Sequence, residues 1–198
     1  MTSISSSLSW PQKRADLEST QRDDLVQLGV WMFLATLVML FASFTSVYIV
    51  SRSAADWAPV SLPRILWLNT AILVASSAAL EQARRARRYS GRAAARWVAA
   101  AAGLGILFLG GQVGAWQVLA SRGVYLPTGT YGAFVYLLTG AHGVHVIAGL
   151  ALLMCTASRT WTARADERTL ARLFAASVTF WHFLAALWLY VIALVALV

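Results

Sequence analysis

The chain has 198 residues, of which 59% are hydrophobic and only 12% charged, with a formal net charge of +8. A composition this apolar excludes a soluble globular domain and identifies a membrane protein. The positive charge does not imply a nucleic-acid partner, because the arginines cluster in the short connections between apolar segments, where they report topology. The single cysteine, Cys155, excludes both an intrachain disulfide and a Cys-rich metal site.

The first 24 residues, MTSISSSLSWPQKRADLESTQRDD, are polar and lack the apolar core of a secretion signal, so they are expected to form a retained, flexible tail. Beyond them lie five runs free of Asp, Glu, Lys and Arg: Leu25 to Ser51, Ile65 to Leu80, Trp97 to Ser121, Gly123 to Ser158 and Leu173 to Val198. Each can supply the roughly 20 residues that a helix needs to cross the hydrocarbon. The second run is short, which places Arg64 and Glu81 at the interfaces. In the fourth, PTGT at residues 127–130 delays the helix until about Tyr131. The predicted fold is therefore an all-α, polytopic bundle of five transmembrane helices occupying residues 25–198. The helices are expected at about 25–51, 63–81, 97–120, 131–158 and 173–197. Thirteen of the sixteen Lys and Arg residues fall in the tail, the second connection and the fourth; only Arg52, Arg64 and Arg122 lie on the other side. That bias predicts a cytoplasmic N-terminus and an external C-terminus.

None of the eight acids lies well inside a span, which argues against a carboxylate proton relay or an autonomous transporter. The polar residues that remain within the spans include Asn69, Gln112, Gln117, Thr139 and the three histidines, His142, His145 and His182. Neutral groups of this kind join helices by hydrogen bonds. Gly103, Gly110, Gly111 and Gly114 in the third span, and Gly132, Gly140, Gly143 and Gly149 in the fourth, are candidates for close helix packing, with Gly110 and Gly114 forming a G-x-x-x-G pair and Gly140 and Gly143 beside His142. Trp57, Trp67, Trp97 and Trp161 fall near span ends, as interfacial rings do, whereas Trp31, Trp116, Trp181 and Trp188 lie deeper and are expected to pack against neighbours.

The histidines admit two readings. His145 and His182 lie on consecutive, antiparallel helices at heights that differ by roughly 6 Å, which would suit a b-type haem. Alternatively, the rings donate to backbone or hydroxyl groups across the bundle, with the glycines making room. A dicopper or zinc site would need more ligands than three histidines supply.

The stretch Leu137 to Leu150, LLTGAHGVHVIAGL, resembles the T-G-x-H-G-x-H-V signature of subunit III of the haem-copper oxidases. Four further segments resemble that family in the same order. They are LGVWMFLATLVMLFASFTSVY at residues 28–48, LPRILWLNTAILVASS at 62–77, LFLGGQVGAW at 107–116 and FWHFLAALWLY at 180–190. The likeness implies the five-helix form of a non-catalytic subunit of a terminal oxidase of the cytochrome c or quinol type, in a bacterial inner (plasma) membrane. Such a chain holds no haem or copper of its own, because those belong to subunits I and II. It packs beside them, binds phospholipid, and supports proton-pumping turnover as dioxygen is reduced with electrons from cytochrome c or quinol. His142, His145, His182, Trp181, Asn69, Gln112 and Thr139 then become structural or lipid-contacting candidates. Three positions depart from the family pattern: Leu37, Ala115 and Ala185 stand where the resemblance leads one to expect acids. An accessory subunit of a nitric oxide reductase and a b-haem membrane anchor remain the alternatives.

Overall fold

In a computed structural model, residues 10–57, 60–126, 129–162 and 167–197 are described. They form five helices: α1 (Trp10–Ser51), α2 (Arg64–Ala86), α3 (Gly91–Ser121), α4 (Thr130–Thr162) and α5 (Glu167–Leu197). Each contains a stretch long and apolar enough to span a bilayer, and there is no strand among the described residues. The helices overrun the apolar windows because a helix need not stop where the hydrocarbon does. In α2, Glu81 pairs with Arg84 at 2.8 Å and with Arg85 at 3.3 Å, one turn along the same helix, and this carries it past its predicted end. The Ser90 hydroxyl caps α3 by accepting from the Ala93 N–H at 3.3 Å, six residues before the predicted start.

The expected flexible tail is corrected from Trp10 onward, where the backbone is already helical; residues 1–9 lie outside the described residues. Pro11 sits in the first turn, where its missing N–H costs no hydrogen bond. The Lys, Arg, Ala, Leu, Glu and Gln residues that follow are good helix formers.

Helices α2 to α5 close into a ring, with α2 against α3, α3 against α4, α4 against α5, and α5 back against α2. α1 stands outside and touches only α4 and α5. Its buried residues Leu34, Leu37, Phe41 and Tyr48 form one narrow stripe at helical spacing. The contrast is plain in the apolar windows, which are 56% buried in α5 and 22% in α1. Trp31, predicted to pack inside, is instead 57% exposed, because it lies off that stripe. At the end of the bundle nearest the C-terminus, the Asp56 carboxylate bridges the α1–α2 connection to the start of α4. It accepts from the Thr130 N–H at 3.0 Å and from the Thr130 hydroxyl at 2.8 Å. Trp57 packs edge-on against Tyr48 and Tyr131, with ring centroids 5.0 and 5.4 Å away.

Candidate functional site

Two features could carry a function: a polar and aromatic axis inside the four-helix ring, and a groove beside α1. The axis is built by α5. Trp181 and Trp188, seven residues apart and therefore on one helix face, are both fully buried at the centre of the ring. The Trp181 indole N–H donates to the Ser76 hydroxyl of α2 at 3.0 Å, and Ser76 donates in turn to the Ala101 carbonyl of α3 at 2.7 Å. One short relay thus joins three helices. Gly105 of α3 and Gly149 of α4 make room for the same indole, because a Cβ at either would come within 2.7 or 3.1 Å of it. Trp188 repeats the arrangement one layer further along. Its N–H donates to Thr70 of α2 at 3.0 Å, while its ring meets Phe108 of α3 at 4.9 Å and His142 of α4 at 5.0 Å.

The other predicted residues divide between this axis and its surroundings. Asn69 is buried and donates to the Phe108 carbonyl at 3.1 Å. Gly111 is what lets it approach, since a Cβ there would lie 1.9 Å from the Asn69 Oδ1. Thr139 accepts from the Trp116 indole at 3.0 Å and donates back to the Val135 carbonyl at 2.6 Å, tying α3 to α4. Gln112 is buried on the α3 face that bears Phe108. Among the glycines picked out for packing, a Cβ added at Gly114 would lie 3.3 Å from Ile65 and one at Gly140 would lie 3.9 Å from Trp116. A Cβ at Gly110 or Gly143 would meet nothing within 4 Å. The tight approaches fall at Gly105, Gly111 and Gly149.

The three histidines are not brought together. His142 is buried inside the ring, perpendicular to Phe108 and tilted against Trp188. His145 donates from Nδ1 to the Ala141 carbonyl of its own helix at 2.7 Å and faces Phe41 of α1. His182 turns towards α2, where its Nδ1 bonds the Ser77 hydroxyl. Rings engaged with α1 and α2 respectively do not offer the facing pair that a b-haem requires. No group of three or more His, Cys, Asp or Glu residues suited to a metal occurs among the described residues. Leu37, Ala115 and Ala185, the positions where acids were expected, all lie in one apolar core cluster with Trp181 and Trp188.

The groove opens between α1 and the α4–α5 pair. Its apolar part, 350 Å³, is lined by Val30, Phe33, Leu152, Ala176 and Phe180, and Phe33 and Phe180 meet across it with centroids 5.7 Å apart. A second cavity of 310 Å³ shares Val30 and Ala176 and adds Gln27, Arg172 and Thr179 towards the end nearest the start of α1. The first cavity is apolar, and the second, beside it, is bordered by polar residues.

A bundle of spanning helices tied by indole–hydroxyl bonds, with an open groove beside its first helix, defines a class of protein: a multi-pass helical membrane protein. Comparison with known families specifies it further. Residues 17–197 match the family model described as cytochrome c oxidase subunit III. The cytochrome c oxidase subunit 3 of Synechocystis sp. is 31% identical over 88% of this chain and 76% of its own length. A probable cytochrome c oxidase subunit 3 of Nocardia farcinica is 30% identical over 87% and 88%. A probable quinol oxidase subunit 3 of Staphylococcus haemolyticus is 25% identical over 90% and 92%. The chain belongs to the cytochrome c oxidase subunit III family, and as an oxidase subunit III it forms a complex with other oxidase subunits.

The sequence alone did not single out Ser76, Ser77, Thr70 or Gly105, nor the bridge from Asp56 to Thr130. The heptad spacing of Trp181 and Trp188, met by the hydroxyls of Ser76 and Thr70 six residues apart on the antiparallel α2, was the signal available.

Proposed function

We propose that this chain is the structural subunit of a proton-pumping bacterial terminal oxidase, seated against subunits I and II in the inner membrane with its N-terminus in the cytoplasm. The haems and copper, and the electrons from cytochrome c or quinol, are handled by those partners. This chain supplies a rigid helical face and a bound phospholipid. The observation that carries the reading is the pairing of a stiff, internally bonded ring with a loosely held α1 and an open groove between them. An apolar cavity with Gln27 and Arg172 beside it suits an acyl chain and a phosphate headgroup. The positive side of the chain coincides with those two residues, which supports placing the headgroup at the cytoplasmic leaflet.

The test is purification of the tagged chain from its native membrane in mild detergent, followed by mass spectrometry and activity. The expected result is co-purification of a haem- and copper-containing core that consumes dioxygen, together with tightly bound phospholipid. A core that lacks copper and reduces nitric oxide would instead make the chain an accessory subunit of a nitric oxide reductase. Isolation as a lone, lipid-free subunit would overturn the proposal. Reporter fusions at Tyr89 and Tyr125 read the orientation, and a cytoplasmic signal is expected only at Tyr89.

A further inference from the structure

His142 is fully buried, and neither ring nitrogen has a hydrogen-bond partner among the described residues. Any uncharged imidazole carries one N–H donor and one acceptor nitrogen, and leaving either unmatched in an apolar interior is costly. The Gln112 Oε1 is buried and unmatched in the same way. The two residues belong to one layer. α3 and α4 are antiparallel, and the Trp116–Thr139 bond sets their relative height. One turn back along α3 from Trp116 is Gln112, and one turn forward along α4 from Thr139 is Gly143, next to His142. The contact between Phe108 and His142, at 5.9 Å, agrees with that level. At this same layer Gly143 is buried, yet a Cβ built on it meets nothing within 4 Å. Space therefore lies beside two buried polar groups with unused capacity.

We infer that Gln112, His142 and Gly143 form an internal hydration site, which holds one or two water molecules between α3 and α4 and hydrogen-bonds them to the imidazole and the glutamine. Water is the ligand because the residues around the space are buried and uncharged, and because a water can serve as donor to Gln112 and as donor or acceptor to His142. In this site Gly143 is a water-positioning residue rather than a helix-contact glycine. The absence of its side chain leaves the volume that the water takes.

The site is tested in the intact oxidase complex by cryo-electron microscopy at a resolution where ordered waters appear. The expected map has a compact density within hydrogen-bond reach of both a His142 ring nitrogen and the Gln112 side chain. A direct Gln112–His142 bond, or no density between the helices, overturns the inference. A second arm uses thermal release of this subunit from the complex. Gly143→Ala should lower the midpoint, although alanine ordinarily favours helix over glycine. In a His142→Leu/Gln112→Leu background, where no group requires the water, the same change should leave the midpoint unchanged or raise it. An unchanged or raised midpoint in the wild-type background overturns the inference, and so does an equal drop in both backgrounds, which would mark a purely steric effect.

Discussion

At Gly111 a single hydrogen atom decides whether Asn69 reaches the Phe108 carbonyl. Gly111→Ala should therefore displace Asn69, break that bond and cost about 1–3 kcal/mol through overpacking, read as a lower thermal midpoint in detergent. Its neighbour is the control. At Gly110 the added methyl meets nothing within 4 Å, so Gly110→Ala should be neutral or should stabilise by up to about 1 kcal/mol through helix propensity. Ala185 tests the lost acids. It is 7% exposed within an apolar cluster, and Ala185→Asp places an unpaired carboxylate there, with an expected loss of more than about 2 kcal/mol and poor recovery of folded subunit by size-exclusion chromatography. Polar candidates could be recognised at this scale because a neutral polar residue in a span is conspicuous against its apolar neighbours. Their partners could not be, because a partner depends on how each helix is rotated. That is why Gly110, Gly111, Gly143 and Gly149 look alike in sequence, whereas only Gly111 and Gly149 of these four, with Gly105, make the tight contacts.

Among the elements, α4 begins in an unusual way, since the acceptor for its first N–H comes from the α1–α2 connection, 74 residues away in sequence. The hydrogen bonds from the Thr130 side chain and backbone hold the Asp56 carboxyl below its ordinary range. The unfolded chain consequently binds a proton more readily than the folded one, and the bridge stabilises the fold above the ordinary carboxylate range. That contribution fades as pH falls through the lowered value. Asp56→Ala should reduce the thermal midpoint at pH 7 and do so progressively less as the pH is lowered below the ordinary carboxylate range, and a pH-independent effect would count against the bridge. At the opposite end of the bundle, the helix limits exceeded the sequence expectation because ion pairs and caps continue a helix into water after the apolar signal has ended. The C-terminal limit of α3 is set differently. Gly123 adopts a φ of +80°, and the Val124 N–H reaches back to the Leu119 carbonyl at 3.1 Å, a glycine-dependent stop.

For the whole molecule, the class, the helix number and the family likeness could be read from the sequence, because hydropathy and arginine placement are strong signals in lipid. The separation of α1 from the ring could not, since its apolar residues look much like those of any other span and only packing tells a lipid-facing side from a protein-facing one. The groove that this separation creates yields a direct prediction. Ala176 lines both of its cavities, so Ala176→Trp should fill the channel and remove a tightly bound phospholipid, counted by native mass spectrometry, while the complex still assembles. Unchanged lipid stoichiometry would place the lipid elsewhere. α5 touches α1, α2 and α4, and it leaves the ribosome after all three of them. The ring cannot close, and α1 cannot find most of its contacts, until nearly the entire chain has been inserted. Four helices must therefore wait side by side in the bilayer for a fifth, and substitutions in the Trp181–Trp188 layer should act on the timing of assembly as much as on the finished bundle.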